Sequence, residues 1–144
     1  MSLTVSELTP DALPEIRAAL LAAKLPAAEL TPGAVYYRFA DESGRTVGFG
    51  GLEGRREDRL LRSLVVLPEF RGAGLGVAMV RELEGFARNA GAKTLHLLTT
   101  TAAPFFGRLG WEPRDRMAAP VDIAVTTEFS SLCPKTARYL VKGL

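Results

Sequence analysis

Among 144 residues there is one cysteine, Cys133, and one histidine, His96. One of each excludes an intrachain disulfide and an intrachain Cys/His zinc cage. A Ser-His-Asp hydrolase would have to use His96, which sits between Leu95 and Leu97 in what reads as a buried strand. No apolar run approaches the roughly 20 residues needed to span a bilayer, so no membrane partner is expected. Met1 to Glu7 lacks the basic start and long apolar stretch of a secretory signal, and a cytoplasmic location is the default expectation. The excess of cations is small: 18 Lys and Arg against 16 Asp and Glu, a net charge of +2. Nucleic-acid binders concentrate uncompensated cations on one face, so no nucleic-acid partner is expected either.

What is present is an ordinary globular balance, 47% hydrophobic and 24% charged, in a length that fits one domain over residues 1–144. Leu3 to Glu7 alternates as a strand. Thr9-Pro10-Asp11 then opens a helix, with Pro10 at its first position and Leu13, Ile16 and Leu20 on one face; Pro26 ends any continuation. Thr31-Pro32-Gly33 is a turn signal before a strand over 35–40. Asp41 to Gly44 reads as a hairpin loop into a strand over 46–52, its antiparallel neighbour. A charged link, Glu53 to Arg59, leads to the apolar run Leu60 to Leu67, the mark of a central strand buried on both faces. Leu75, Met79, Leu83, Phe86 and Ala90 then stripe a long helix closed by Gly91. A strand over 94–98, a short helix over 103–109 and strands over 111–115 and 137–142 complete the chain. The order β-α-β-β-β-α-β-α-β-β describes a mixed α/β domain with a βαβ unit at its middle.

Between the central strand and the long helix lies Arg71-Gly72-Ala73-Gly74-Leu75-Gly76. A helix start offers unpaired N–H groups and the positive end of the helix dipole, which attract phosphate. Glycines there let a phosphate reach the main chain without meeting a Cβ. A plain tight connection between strand and helix would carry the same residues. A Walker loop needs Lys and then Ser or Thr after its last glycine, but Val77 and Ala78 follow Gly76. The dinucleotide fingerprint needs one more residue between its last two glycines.

Leu64-Val65-Val66-Leu67-Pro68-Glu69-Phe70-Arg71-Gly72-Ala73-Gly74-Leu75-Gly76 closely resembles the acyl-CoA-binding segment of the GCN5-related N-acetyltransferases (GNAT). Ala102-Ala103-Pro104-Phe105-Phe106-Gly107-Arg108-Leu109-Gly110-Trp111 resembles a second segment of that superfamily, at the expected distance. The resemblance implies a mostly antiparallel, splayed sheet with one βαβ unit and flanking helices, and acetyl-CoA as co-substrate without a metal. It assigns the pyrophosphate to Arg71, Gly72, Ala73, Gly74, Leu75 and Gly76. It assigns the pantetheine arm to the main chain of Leu64, Val65 and Val66, and the acyl channel to Phe105 and Phe106. Thr99 falls near a position where relatives place a cofactor-contacting Asn. The segment Glu128 to Ala137, with Leu61 to Val66, also resembles the arsenic-resistance N-acetyltransferase branch, which implies an amino-acid-like organoarsenical or related antimetabolite as acceptor. Homodimers are common among similar proteins.

Acetyl transfer to an amine needs a proton acceptor, and here the pattern departs from the family. Phe106 stands where many relatives have a tyrosine that protonates the thiolate. Leu60, Leu61 and Arg62 stand where others carry a strand glutamate. Glu53, at the end of the preceding strand, is the nearest catalytic candidate, although an exposed loop carboxylate reads the same way. Ser63 is a second candidate, to hold a bridging water, or is merely packed. Arg62 interrupts an apolar run and needs an anionic partner, either an acid group of the substrate or a structural carboxylate. Acetylation of a protein N-terminus or lysine, and an acyl-CoA sensor without catalysis, are the competing functions.

Overall fold

The computed structural model describes residues 2–25, 33–132 and 136–144. Pro26, the turn at Thr31-Pro32 and Cys133 lie outside the described residues. Seven strands form one sheet in the order β1-β2-β3-β4-β5-β7-β6: β1 (Thr4–Glu7), β2 (Ala34–Ala40), β3 (Thr46–Glu53), β4 (Asp58–Val66), β5 (Thr94–Thr99), β6 (Glu112–Arg114) and β7 (Arg138–Gly143). Every neighbouring pair is antiparallel except β4 and β5. That parallel pair is joined by α2 (Leu75–Asn89) and forms the expected βαβ unit. The fold is the mixed α/β, mostly antiparallel architecture read from the sequence.

Two layers cover the sheet. On one face α2 buries Leu75, Met79, Val80, Leu83 and Ala87 against Val47, Leu61, Leu95 and Leu97. Ala87 takes the place expected for Ala90, which is exposed at the helix C-cap, because 3.6 residues per turn carry the stripe from Leu83 to Ala87. Phe86, half-buried, stacks on Tyr37 with centroids 5.0 Å apart. Buried Glu84 binds Lys142 at 3.0 Å and Arg81 at 3.0 Å, which ties α2 to β7. On the other face α1 (Leu13–Ala22) buries Ile16 and Leu20 against Tyr36, Phe49 and Val65. Pro10 opens a 3-10 turn rather than the helix itself.

The charged link is shorter than expected. β3 runs to Glu53 and β4 starts at Asp58, since Asp58 and Arg59 pair with Thr94 and Leu95 of β5. The segment from Arg116 also holds more structure than its composition suggested. A 3-10 turn (Arg116–Ala118), α4 (Val121–Ala124) and a π turn (Glu128–Leu132) pack Ile123 and Glu128 inward.

Glycines on β3 set the distance between sheet and helix. A Cβ on Gly48 would overlap the Val65 carbonyl oxygen and come within 2.8 Å of Met79 Cε. Gly85, on α2, has nothing within 4 Å of the same position. Gly48→Ala is therefore expected to destabilise the protein by about 1–3 kcal/mol through overpacking. Gly85→Ala is expected to stabilise it by about 0.5–1 kcal/mol through helix propensity. Urea unfolding midpoints of the two variants check both signs.

Candidate active site

β4 and β5 begin as paired neighbours and then part. Among the described residues their pairing covers Asp58 to Leu60 only. At the same level β4 carries a bulge: Gly51 pairs with Arg62 and Phe49 with Val65, so Ser63 and Leu64 together face Gly50. Ser63 has φ 57°, uncommon for a residue with a side chain. Bulges bend the strand that carries them and re-aim its side chains. Here Arg62 and Val65 face the α1 layer, while Leu61, Leu64 and Val66 join the α2 core. The gap between the strands is a cleft of about 400 Å³.

This cleft gathers many of the residues singled out from the sequence: Arg62, Ser63, the Leu64–Val66 triplet, Arg71, Thr99, Phe105 and Phe106 all line it. Leu67 N donates to Val47 O at 2.8 Å, so by antiparallel alternation the main chain of Val65 faces β3 and that of Leu64 and Val66 faces the cleft. Arg71 Nε donates to the Val66 carbonyl at 3.0 Å and sits at the mouth. Gly72 (φ 84°) and Gly74 (φ 78°) adopt left-handed conformations, and nothing lies within 4 Å of a Cβ on either. Gly74 is also the N-cap of α2, so its turn presents main-chain donors to open space. Gly76 lies beneath, where a Cβ would meet Phe105 Cζ at 3.4 Å and Val66 Cγ2 at 3.6 Å. Ala73 and Leu75 complete the turn, with Leu75 buried in the core.

The opposite wall is aromatic. Phe105 meets Phe106 edge to face at 5.0 Å, and Phe106 meets Trp111 at 5.5 Å. Thr99 Oγ1 accepts a hydrogen bond from Ala102 N at 2.9 Å and so organises the start of α3 (Ala103–Arg108).

The far end of the cleft is charged. The side chain of Arg62 has 0% exposure; its Nη1 binds Glu53 Oε1 at 2.7 Å, and its Nε lies 3.9 Å from Glu128 Oε1. Its guanidinium is 5.9 Å from the ring centre of Tyr36. Gly51 allows this row, since a Cβ there would come within 2.8 Å of Tyr36 Cδ1. Glu53 is partly buried behind Arg62 and is not part of the cleft wall. Glu128, which is not among the site residues singled out from the sequence, lines the cleft with 8% side-chain exposure. Burial pushes its carboxyl up from 4.5 to about 7; Arg62 opposes that rise and Glu53 adds to it. A lone glutamate beside Phe129 in a segment with no clear period was the available signal.

His96 is buried and does not line the cleft. Its Nε2 meets Asp58 Oδ1 at 2.6 Å and its Nδ1 meets Tyr139 Oη at 2.7 Å. No group of three or more candidate metal ligands occurs among the described residues, and no helix among them is long and apolar enough to cross a membrane.

The family model of the acetyltransferase (GNAT) domain matches residues 32–113, more than half of the chain. The chain belongs to the GNAT acetyltransferase family. The matched span covers this GNAT chain from β2 through the cleft to β6. The amino-acid acetyltransferase of Pseudomonas syringae pv. syringae is 43% identical over 53 residues, 37% of this chain and 12% of that protein. That of Ectopseudomonas mendocina is 41% identical over 61 residues, 41% of this chain and 14% of that protein. The match thus spans only about an eighth of the length of these curated relatives. Among solved structures, N-acetylglutamate synthase from Neisseria gonorrhoeae, complexed with coenzyme A and N-acetyl-glutamate, superposes with a TM-score of 0.80 at 15% identity. It covers all of this chain and 35% of that one. A GNAT-family acetyltransferase from Staphylococcus aureus Mu50 gives 0.73 at 14% identity, over 99% of both chains. At these identities the structural likeness carries the fold alone.

Because the carboxyl of Glu128 titrates higher in the folded chain than in the unfolded one, the folded state holds the extra proton between about pH 4.5 and 7. Its contribution to stability is therefore present at low pH and lost as pH rises through that window, by roughly 2–3 kcal/mol. Thermal unfolding at pH 5 and pH 8 should show Glu128→Gln gaining stability relative to wild type at the higher pH. Equal differences at both pH values would contradict the burial of an ionisable Glu128.

Proposed function

We propose that this chain transfers an acetyl group from acetyl-CoA to the primary amine of a small, amino-acid-like acceptor. The observation that carries the reading is the parting of β4 from β5, with cleft-facing main chain at Leu64 and Val66 and an open glycine turn at its mouth. An extended, amide-bearing arm fits such a gap as a strand does, by main-chain hydrogen bonds. The turn from Arg71 to Gly76 receives the pyrophosphate on main-chain N–H groups at the start of α2. Phe105 and Phe106 wall the acyl channel, and Thr99 shapes the loop beside it. Arg62 lies four residues before Val66, roughly 13 Å along an extended strand. The thioester therefore belongs at the charged end, near Arg62, Ser63 and Glu128.

Two further features bear on the acceptor. The segment from Arg116 to Glu128 packs over this end of β4, with Ile123 buried, which supports a small acceptor over a protein N-terminus or lysine. The curated relatives are amino-acid acetyltransferases, which supports an acceptor with an α-amine. The likeness to the arsenic-resistance branch extends the proposal to an organoarsenical amino acid, capped at its amine. In this reading Arg62 supplies the positive field that an acidic acceptor would meet, Ser63 a hydroxyl for a bridging water, and Glu53 an anchor for the arginine.

Thiol release from acetyl-CoA across a panel of amino acids, an organoarsenical amino acid and lysine peptides tests the function, with donor binding measured by calorimetry. Turnover on amino-acid amines is the expected result. Donor binding without turnover on any amine would support a sensor instead. Gly74→Ala places a Cβ on a left-handed residue at the phosphate turn. By relaxing the free turn away from the conformation that presents its N–H groups, it should weaken acetyl-CoA binding about tenfold, the equivalent of ~1.4 kcal/mol.

A further inference from the structure

We propose that Glu128 accepts the proton of the incoming amine and that Arg62 positions it for that task, an assignment that rests on the acetyl-transfer reading above. Among the described residues lining the cleft, Glu128 supplies the only carboxylate. It stands at the end where the thioester belongs, 3.9 Å from the guanidinium of Arg62. Glu53, the candidate suggested by the sequence, is separated from the cleft by that same guanidinium.

The turn that carries Glu128 is anchored on both sides. Thr126 Oγ1 donates to Ile123 O at 2.7 Å and Phe129 N donates back to Thr126 Oγ1 at 3.4 Å, closing the turn that presents Glu128. Phe129 is gripped by Arg116, which donates to its carbonyl at 2.9 Å and lies over its ring at 5.3 Å. On its other side Phe129 packs edge to face on Tyr139 at 5.1 Å. A π turn, a rare geometry met often at functional sites, spans Glu128–Leu132. Among the described residues, the charged groups acting on Glu128 are Arg62 from β4 and Glu53 from β3, with Tyr36 from β2 against Arg62 and Arg116 of its own segment on Phe129. Burial and Glu53 favour the protonated carboxyl, while Arg62 favours the carboxylate. The balance puts Glu128 near neutrality, where a base is most effective.

The acceptor enters as an ammonium ion, and the carboxylate of Glu128 takes one proton from it. The freed lone pair attacks the thioester carbonyl, the C–N bond forms and the C–S bond breaks. The CoA thiolate leaves and takes up a proton. The amide nitrogen gives up its second proton, so one proton is released to solvent per turnover.

Steady-state kinetics from pH 5.5 to 9 on the best amino-acid acceptor, with acetyl-CoA affinity measured in parallel, test the assignment. Wild type should show an acid limb in kcat near pH 7. Glu128→Gln should bind acetyl-CoA as wild type does, lose kcat by about 100-fold or more and lose the limb. With an acceptor whose amine is already neutral at the assay pH, its deficit should shrink to less than tenfold. Glu53→Gln should move the limb to lower pH, because it removes a neighbouring negative charge. Should Glu128→Gln fail to bind the donor, Glu128→Asp decides, with a lowered kcat and a retained limb expected. A Glu128 variant that keeps wild-type kcat and limb, or a limb abolished by Glu53→Gln alone, would overturn the assignment. Wild type that binds acetyl-CoA but acetylates no amine would instead overturn the acetyl-transfer reading, and this role with it.

Discussion

Pairing between β4 and β5 stops at Leu60 and His96, and the rest of the site depends on that interruption. A parallel pair continued to Val66 would satisfy its own main chain and leave nothing for a ligand. The bulge at Ser63 and Leu64 instead holds β4 against β3 while reversing which side chains face each layer. Leu64 and Val66 enter the α2 core and fix the strand from below. Arg62, on the opposite face, is left at the head of the cleft beside Glu128. One local irregularity thus opens the cleft and separates its apolar wall from its charged end.

The glycines of β3 make this arrangement possible. Gly48 and Gly50 let α2 lie close to the sheet, so that the helix start, and with it the turn from Arg71 to Gly76, is delivered to the mouth of the cleft. Gly51 gives room to Tyr36, whose ring supports Arg62. A buried guanidinium is costly unless it is paired, and here Glu53 and Glu128 share that task. Glu53 makes the close contact at 2.7 Å, which leaves Glu128 the looser partner at 3.9 Å and the one open to the cleft.

The glycine-turn end of the candidate site is legible in the sequence because its physics is local. A strand, a proline, a glycine turn and a helix start need only neighbouring residues, and Arg71 to Gly76 stand where that pattern puts them. The charged end is not. Glu128 lies 66 positions beyond Arg62, and only the packing of Ile123 and Phe129 brings them together. Arg62 reads from the sequence as a buried charge in need of a partner, but sequence offers no way to choose among the available acids. Glu53 is the nearest acid along the chain, whereas the carboxylate lining the cleft comes from the segment after Arg116. The positive φ of Ser63 was equally hidden, since it follows from register against Gly50 rather than from any preference of serine. Ala90 was misplaced by a simpler cause, the drift of a 3.6-residue period along a 15-residue helix.

In the proposed function the β4 main chain facing the gap is the docking edge for the donor. Residue-resolved amide hydrogen exchange, with and without acetyl-CoA, tests it most directly. Val65, whose main chain faces β3, should be protected in both states. Leu64 and Val66 should exchange readily in the free protein and slow by at least tenfold with the donor bound. Equal protection of Leu64 and Val66 in the two states would contradict the account.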